Sequence, residues 1–548
     1  MKKLCITLFL ISTISYQVAG QDSASNVLSQ YLKMIDLRMN QDELDSLQAN
    51  LEGNLGAYEA LHKVSLPNHV PPVLQFIPPL NPERLPNYQG KNDYQLSSKV
   101  KRPKDDAALA FLSVADLSVL IKNKKLTSLE LTNVYLDRLR RFGDTLECVI
   151  TITEEVALAQ AKQADEEIAK GNYRGPLHGI PYGINDLLST REHLTTWGAE
   201  PYKDQRLDQQ ATVVTKLQEA GAVLVAKLTL GALAWGDVWY GGVTRNPWNL
   251  EQGSSGSSAG SASATVAGLV PFAIGSETLG SIVSPSTRCG ATGLRPTFGR
   301  VSKSGAMALS WSMDKLGPIC RNATDLALVI DVIKGADSGD LGTRDFPLNY
   351  QYSEENAKKL RVGYLKSYFD QAGFNHANDS VTIDLLKSNG IELIEKSLPE
   401  VPAQSMSMIL AAEAAAAFDE LTRSNQDSLL VRQIRNAWPN VFRAARFTPA
   451  VEYINANRVR YQLIEAFNEM MADIDVLVTP TYAGPQLLMT NLSGHPAVVI
   501  PNGSYKAGNP GSISFIANHF DEGSIMTFAR WVQELTPYEE EHPSLFME

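Results

Sequence analysis

The densest chemical feature of this sequence is a tract of small residues. Ten of the seventeen residues 252–268 are Gly or Ser, and a second small-residue loop, 275–281, follows a strand-like run at 269–274. Flexible linkers share such a composition. This tract, however, runs into Ala262, Ala264, Val266 and Ala267, which suit a tightly packed helix, so it lies between two core-like elements. Small residues at this density let backbones approach closely and turn amide N–H groups toward a ligand. A serine hydroxyl in such a setting does acyl chemistry only if it loses its proton as it attacks. Gly256-Ser257-Ser258-Ala259-Gly260 also fits the G-x-S-x-G pattern of a nucleophile elbow, which needs a strand just before it. Residues 246–251, Asn-Pro-Trp-Asn-Leu-Glu, read as a turn. A Ser-His-Asp hydrolase is therefore a poor fit.

Other chemistries find little support. The eight histidines are scattered, with no HExxH or HxH pair, so no metal is expected. Cys5 lies in the leader, and Cys148, Cys289 and Cys320 show no CxxC spacing. They read as small buried thiols with at most one bridge. No P-loop or dinucleotide fingerprint appears, so no cofactor is expected. The net charge of −11, from 49 basic and 60 acidic residues, argues against a nucleic-acid partner.

The elements that must position the tract follow from patterning. Lys2 and Lys3 precede an apolar run at 4–14, and Val18 and Gly20 stand before a cut at Gln21. Residues 1–20 are thus expected to be a signal peptide, with the mature protein exported to the periplasm or secreted and without stable membrane insertion. Residues 21–105 read as an appendage. A helical arm spans 26–63, and a Pro-rich strap follows, with Pro67, Pro71, Pro72, Pro78, Pro79, Pro82 and Pro86 within twenty residues. Proline removes donors and fixes φ, so the strap is extended. From residue 106 the chain reads as one α/β body. A helix is expected over 112–141, and short apolar strands at 148–153, 223–226, 270–274, 362–365, 476–478 and 497–500 alternate with helices. The 548-residue length alone suggests three to four domains at about 150 residues each; the patterning argues for one large body instead.

The body resembles the amidase signature enzymes over most of residues 110–535. The specific part runs Ser255-Gly256-Ser257-Ser258-Ala259-Gly260-Ser261, then Gly268-Leu269-Val270-Pro271-Phe272-Ala273, then Gly275-Ser276-Glu277-Thr278-Leu279-Gly280-Ser281-Ile282. Further support comes from Gly175-Pro176-Leu177-His178-Gly179-Ile180-Pro181, Gly293-Leu294-Arg295-Pro296-Thr297, Leu477-Val478-Thr479-Pro480-Thr481 and Gly494-His495-Pro496-Ala497. The resemblance implies a large mixed β-sheet covered by helices. It also implies an amide hydrolase in which Ser281 is the acyl nucleophile and Ser257, after a cis peptide bond, relays its proton to a Lys. The N–H groups of Thr278, Leu279, Gly280 and Ser281 would form the oxyanion hole, and Asp186 would orient the region of the second serine.

The family's Lys stands four residues after the Pro of Gly-Ile-Pro; here that position is Asn185. An amide cannot take a serine proton at neutral pH, whereas an unprotonated amine can. Asn185 is expected to hold hydrogen bonds to Ser257 and leave the fold intact. Leu279 stands where the family has Gly, and Val283 where it has Arg. The expected function is an exported hydrolase of a small or peptidic amide C–N bond, impaired at its base. The alternatives are a silent amide or peptide binder, and a protein like the family's tRNA-dependent amidotransferases. Region 401–475, which departs most from the signature, is expected to carry selectivity. The sequence leaves the oligomeric state open.

Overall fold

The computed structural model describes residues 28–548 apart from Ser29, Arg38, Ser65, Ala507 and Gly508. The leader-like segment 1–20 lies outside the described residues. Two compact units divide after Pro67. In the first, Asn40 starts helix α1, Gln41–Leu61, with a capping box: its side chain accepts the Glu43 N–H, and the Glu43 carboxylate accepts the Asn40 N–H. The reciprocal bonds satisfy two donors that a helix start otherwise leaves free. The helix expected over 26–63 is interrupted at Asp36, where φ is +54°.

The second unit, Asn68–Glu548, includes the strap. Among residues 68–105 the only helical turn described is a 3-10 turn, Pro82–Arg84. The body is built on eleven described strands: β1 Val149–Ile152, β2 Pro181–Asn185, β3 Val223–Leu228, β4 Ala273–Glu277, β5 Thr292–Arg295, β6 Lys315–Cys320, β7 Val362–Tyr364, β8 Leu393–Glu395, β9 Val476–Pro480, β10 Ala497–Lys506 and β11 Asn509–Ala517. They form one sheet in the order β1-β3-β2-β4-β6-β5-β10-β11-β9-β7-β8. It is mixed: β2 runs parallel to β3 and β4, β9 parallel to β7, and β7 parallel to β8, while the other neighbours are antiparallel. The central strands β2, β3, β4 and β6 are buried along their whole length, as strands covered on both faces must be.

Six helices matter for the site: α2 Ser128–Leu146, α3 Ala259–Val266, α4 Val283–Cys289, α5 Met408–Ala417, α6 Ala450–Met470 and α7 Gln486–Ser493. The single helix expected over 112–141 is two. Val114–Lys122 ends at Asn123 and Lys124, whose φ is +56°, and α2 restarts behind a Thr127/Glu130 capping box. The strand expected at 270–274 is displaced to Ala273–Glu277: Gly268, with φ +68°, turns the chain out of α3, and pairing with β2 and β6 sets where the strand lies. No helix among the described residues is long and apolar enough to cross a membrane.

Candidate active site

Strands β2 and β4 and the start of α4 converge on the serine tract. β4 carries the chain into loop 278–281, and α4 leaves it. Glu277 closes this bend: one carboxylate oxygen accepts the Ile282 and Val283 N–H groups at 2.8 and 2.9 Å, and the other accepts from Arg295 at 3.1 Å and Asn491 at 2.8 Å. Burial pushes the Glu277 carboxyl up, but Arg295, Lys315 and these donors outweigh it and hold it below the usual range. Glu277 is therefore an ionised clamp, not a proton donor. Gly280 adopts φ +81°, where a side chain is strained. Thr278 donates its hydroxyl to Asp314 at 2.6 Å, and Asp314 also accepts the Leu309 and Ser310 N–H groups.

None of the N–H groups of Thr278, Leu279, Gly280 and Ser281 donates a hydrogen bond to another described residue. Thr278, Gly280 and Ser281 are buried and Leu279 is 37% exposed, and buried N–H groups are almost always paired. A run of free donors beside a serine is what a developing oxyanion requires, and one such donor is typically worth about 3–4 kcal/mol to the transition state. Ser281 itself is 7% exposed.

Ser257 follows a cis peptide bond from Gly256. A Cβ on Gly256 would lie 1.9 Å from the Gly236 carbonyl oxygen, so only glycine fits there. The Ser258 N–H donates to the Ser281 carbonyl at 3.0 Å, joining the two segments. The Ser257 hydroxyl is buried and has no hydrogen-bond partner among the described residues. Ser258, the central serine of the elbow-like pattern, is fully occupied: its Oγ accepts from Asn185 and from the Ser276 N–H, and donates to the Ser276 carbonyl, each at 3.0 Å. The turn expected at 246–251 is confined to Pro247 and Trp248, the tip of a short ribbon in which Asn249–Gly253 pairs with Arg245–Asn246.

Asn185, the last residue of β2, is completely buried. Contrary to expectation it does not bond to Ser257. Its amide nitrogen donates to Ser258, and its oxygen accepts from Ser261 at 3.4 Å. One methylene carries the Asn amide to Ser258, just before α3, and to Ser261 within it, whereas a lysine has four methylenes.

A buried lysine does lie one strand away. Lys227 on β3 pairs in register with Ile184, and its ammonium contacts Asp186 at 2.8 Å, Thr195 Oγ1 at 2.6 Å and the Leu194 carbonyl at 2.5 Å. Two of these contacts are hydrogen bonds, to Leu194 and Thr195, and the Asp186 contact is an ion pair. Burial lowers its pKa and Asp186 opposes the shift. Asp186 accepts from the Thr196 N–H and hydroxyl besides, so it orients the 194–197 segment rather than Ser257. A second buried amine, Lys315 on β6, bonds to the Met313 carbonyl, and burial together with Arg295 pushes it well below the usual lysine range. Among the described residues no lysine bonds to Ser257 or Ser281.

A cavity of about 1720 Å³ opens beside Thr278. Region 401–475 contributes Glu413, Tyr453 and Arg460 to its wall. Glu413 accepts from Ser310, Ser312 and Tyr453, and Arg460 donates to Ser312 and to the Leu492 carbonyl. Trp311 lines it, whereas Trp197, which stands beside a glycine in the sequence, packs against Tyr202 and Phe418. The sequence carried no signal for Asp314, Trp311 or the Glu413–Arg460 network, which come together only through the fold. Cys148, Cys289 and Cys320 are buried and unbridged, and no cluster of metal-ligating side chains occurs among the described residues.

The chain matches the family described as Amidase over residues 130–526. It is 33% identical over 484 residues to a Roseiflexus sp. protein named as the A component of glutamyl-tRNA(Gln) amidotransferase, spanning 80% of this chain and 99% of that one. A protein of the same name from Carboxydothermus hydrogenoformans is 30% identical over 485 residues, spanning 80% of this chain and 100% of its own length. The solved structure of native peptide amidase from Stenotrophomonas maltophilia is similar at TM-score 0.69 and 28% identity, covering 77% of this chain and 96% of that one. With that match extending from α2 to the end of the sheet, and the serine tract folded into a loop of free N–H donors, the chain belongs to the amidase family, the amidase signature enzymes.

Proposed function

We propose that this protein is a serine amide hydrolase whose turnover is held low by Asn185. The Ser281 oxygen attacks the carbonyl carbon of a carboxylic amide, and its proton passes to Ser257 as the Ser257 hydroxyl gives up its own proton to a water molecule. The negative charge developing on the carbonyl oxygen is met by the N–H groups of 278–281. The C–N bond then breaks, the proton goes to the departing amine, and water releases the acid from the acyl-serine. The step that lacks a dedicated group is removal of the proton from Ser257, because Asn185 has no basic lone pair. The observation that carries this reading is the set of free N–H donors at Ser281 beside the buried, partnerless Ser257 hydroxyl.

The test is labelling with a serine-directed fluorophosphonate, read by mass spectrometry. The expected result is an adduct located at Ser281 and absent from Ser281→Ala. An unlabelled Ser281 under conditions that label an active amidase would overturn the reading. It would favour the second one, a family member that binds an amide or peptide without turnover, which the locking of Asn185 onto Ser258 and Ser261 supports. The name of the relatives specifies an amidotransferase of glutamyl-tRNA(Gln). The acidic balance and the leader-like residues 1–20, which we take to direct export, weigh against that role here.

A further inference from the structure

The Pro-rich strap lies outside the part of the chain matched to the family, which begins at residue 130. Two anchors fix it to the body. At one end the Asn68 carboxamide grips Ala308 on both sides, donating to its carbonyl at 2.8 Å and accepting its N–H at 2.7 Å. At the other, Asn468 of α6 donates to the Pro79 carbonyl at 3.0 Å, and Arg84 pairs with Asp475 at 2.5 Å. Between the anchors, prolines at 71, 72, 78 and 79 withhold the N–H groups a strand would need.

The side chain held between the anchors is Phe76. Its ring meets Phe298 edge-on at 5.0 Å and lies 3.5 Å from the Arg460 guanidinium. A cation over an aromatic face is attractive, most of all where water is excluded, and Arg460 is 1% exposed. The grip reaches the oxyanion loop through few bonds. Ala308 precedes Leu309 and Ser310, whose N–H groups bind Asp314, which binds Thr278. Leu74, Phe76 and Ile77 line the same cavity as Met307, Trp311 and Thr278.

We propose that the strap is a specificity element of the amide site, with Phe76 as its determinant. It walls the cleft so that the preferred substrate is an amide bearing a bulky apolar group near the carbonyl, over a small polar amide. This rests on the reading of Ser281 as an amide site. The occupant follows from the cleft itself: it reaches Thr278, the first residue of the loop that would hold the carbonyl, and the wall the strap adds is mostly apolar, with Leu74, Phe76, Ile77 and three prolines.

The test is calorimetric binding to the full mature chain carrying Ser281→Ala, so that no ligand is consumed. The ligands are N-acetyl-phenylalaninamide and acetamide. The aromatic amide should bind at least about tenfold more tightly, and Phe76→Ala should remove about tenfold of that affinity while leaving acetamide unchanged. Phe76→Leu, which keeps apolar contact at the anchor, should lose less, and a melting curve for each variant separates local change from unfolding. Equal binding of the aromatic amide by folded Phe76→Ala and the parent overturns the strap proposal alone. Binding of neither amide by any version overturns the amide site itself, and the strap's role with it.

Discussion

At the scale of single residues, the buried ion pair of Lys227 and Asp186 separates structure from catalysis. Lys227→Met removes the positive charge and leaves Asp186 facing no cation in a site that is completely buried. Such a break is expected to destabilise by about 3–5 kcal/mol, visible as a lower denaturation midpoint. If Lys227 instead served as a substitute base, the variant would keep its midpoint and lose reactivity at Ser281. Some of these roles are legible along the chain. The separation of Ser257 from Ser281, and the amide in place of an amine at position 185, need only the motif. The bonds of Asn185 to Ser258 and Ser261 do not follow from spacing, because they depend on how far a short side chain reaches from the end of β2. The partners of Lys227 are hidden for a similar reason: Asp186 lies more than forty positions earlier and meets it only across two neighbouring strands.

At the scale of elements, the bend from β4 into α4 depends on Glu277. Its carboxylate holds the N–H groups of Ile282 and Val283 while Arg295 and Asn491 hold the carboxylate. Glu277→Gln keeps the size but halves the acceptors. It is expected to cost about 1–3 kcal/mol and to slow fluorophosphonate labelling, because the donors beside Ser281 lose their fixed direction. The pH dependence has a definite sign. A carboxyl held below its ordinary value of 4.5 adds stability that is complete above that value and is lost as the pH falls through the lower folded value. The melting temperature of Glu277→Gln should therefore fall less steeply on acidification below pH 4.5 than that of the parent. Elements were readable where their own residues decide them. The Thr127/Glu130 capping box marks a helix start, whereas apolar spacing alone runs through Asn123 and Lys124 and merges two helices into one. The shift of β4 toward the loop is set by pairing with β2 and β6, which no local window contains.

At the scale of the whole molecule, the ordinary composition conceals one large α/β body. The helix-and-strand alternation shows the class, while the strand order, with β10 and β11 inserted between β5 and β9, arises from long-range pairing. The strap shows the same limit: its prolines announce an extended segment, but the seat of Phe76 on Arg460 joins residues nearly four hundred positions apart. Export is a proposal at this scale. If residues 1–20 are a cleaved leader, Edman sequencing of the protein recovered outside the cytoplasm should begin at Gln21. Recovery of the intact Met1 terminus from the cytoplasm alone would rule export out.

The central claim is an amide site complete except for its base, and Asn185→Lys tests it most directly. The buried Ser257 hydroxyl, which has no hydrogen-bond partner among the described residues, is the donor whose proton the new amine would take. Initial rates on a panel of small and peptidic amides should rise at least about a hundredfold over the parent, and adding Ser281→Ala should abolish the gain. A folded Asn185→Lys protein with no gain on any amide, or a gain that survives Ser281→Ala, would contradict the claim.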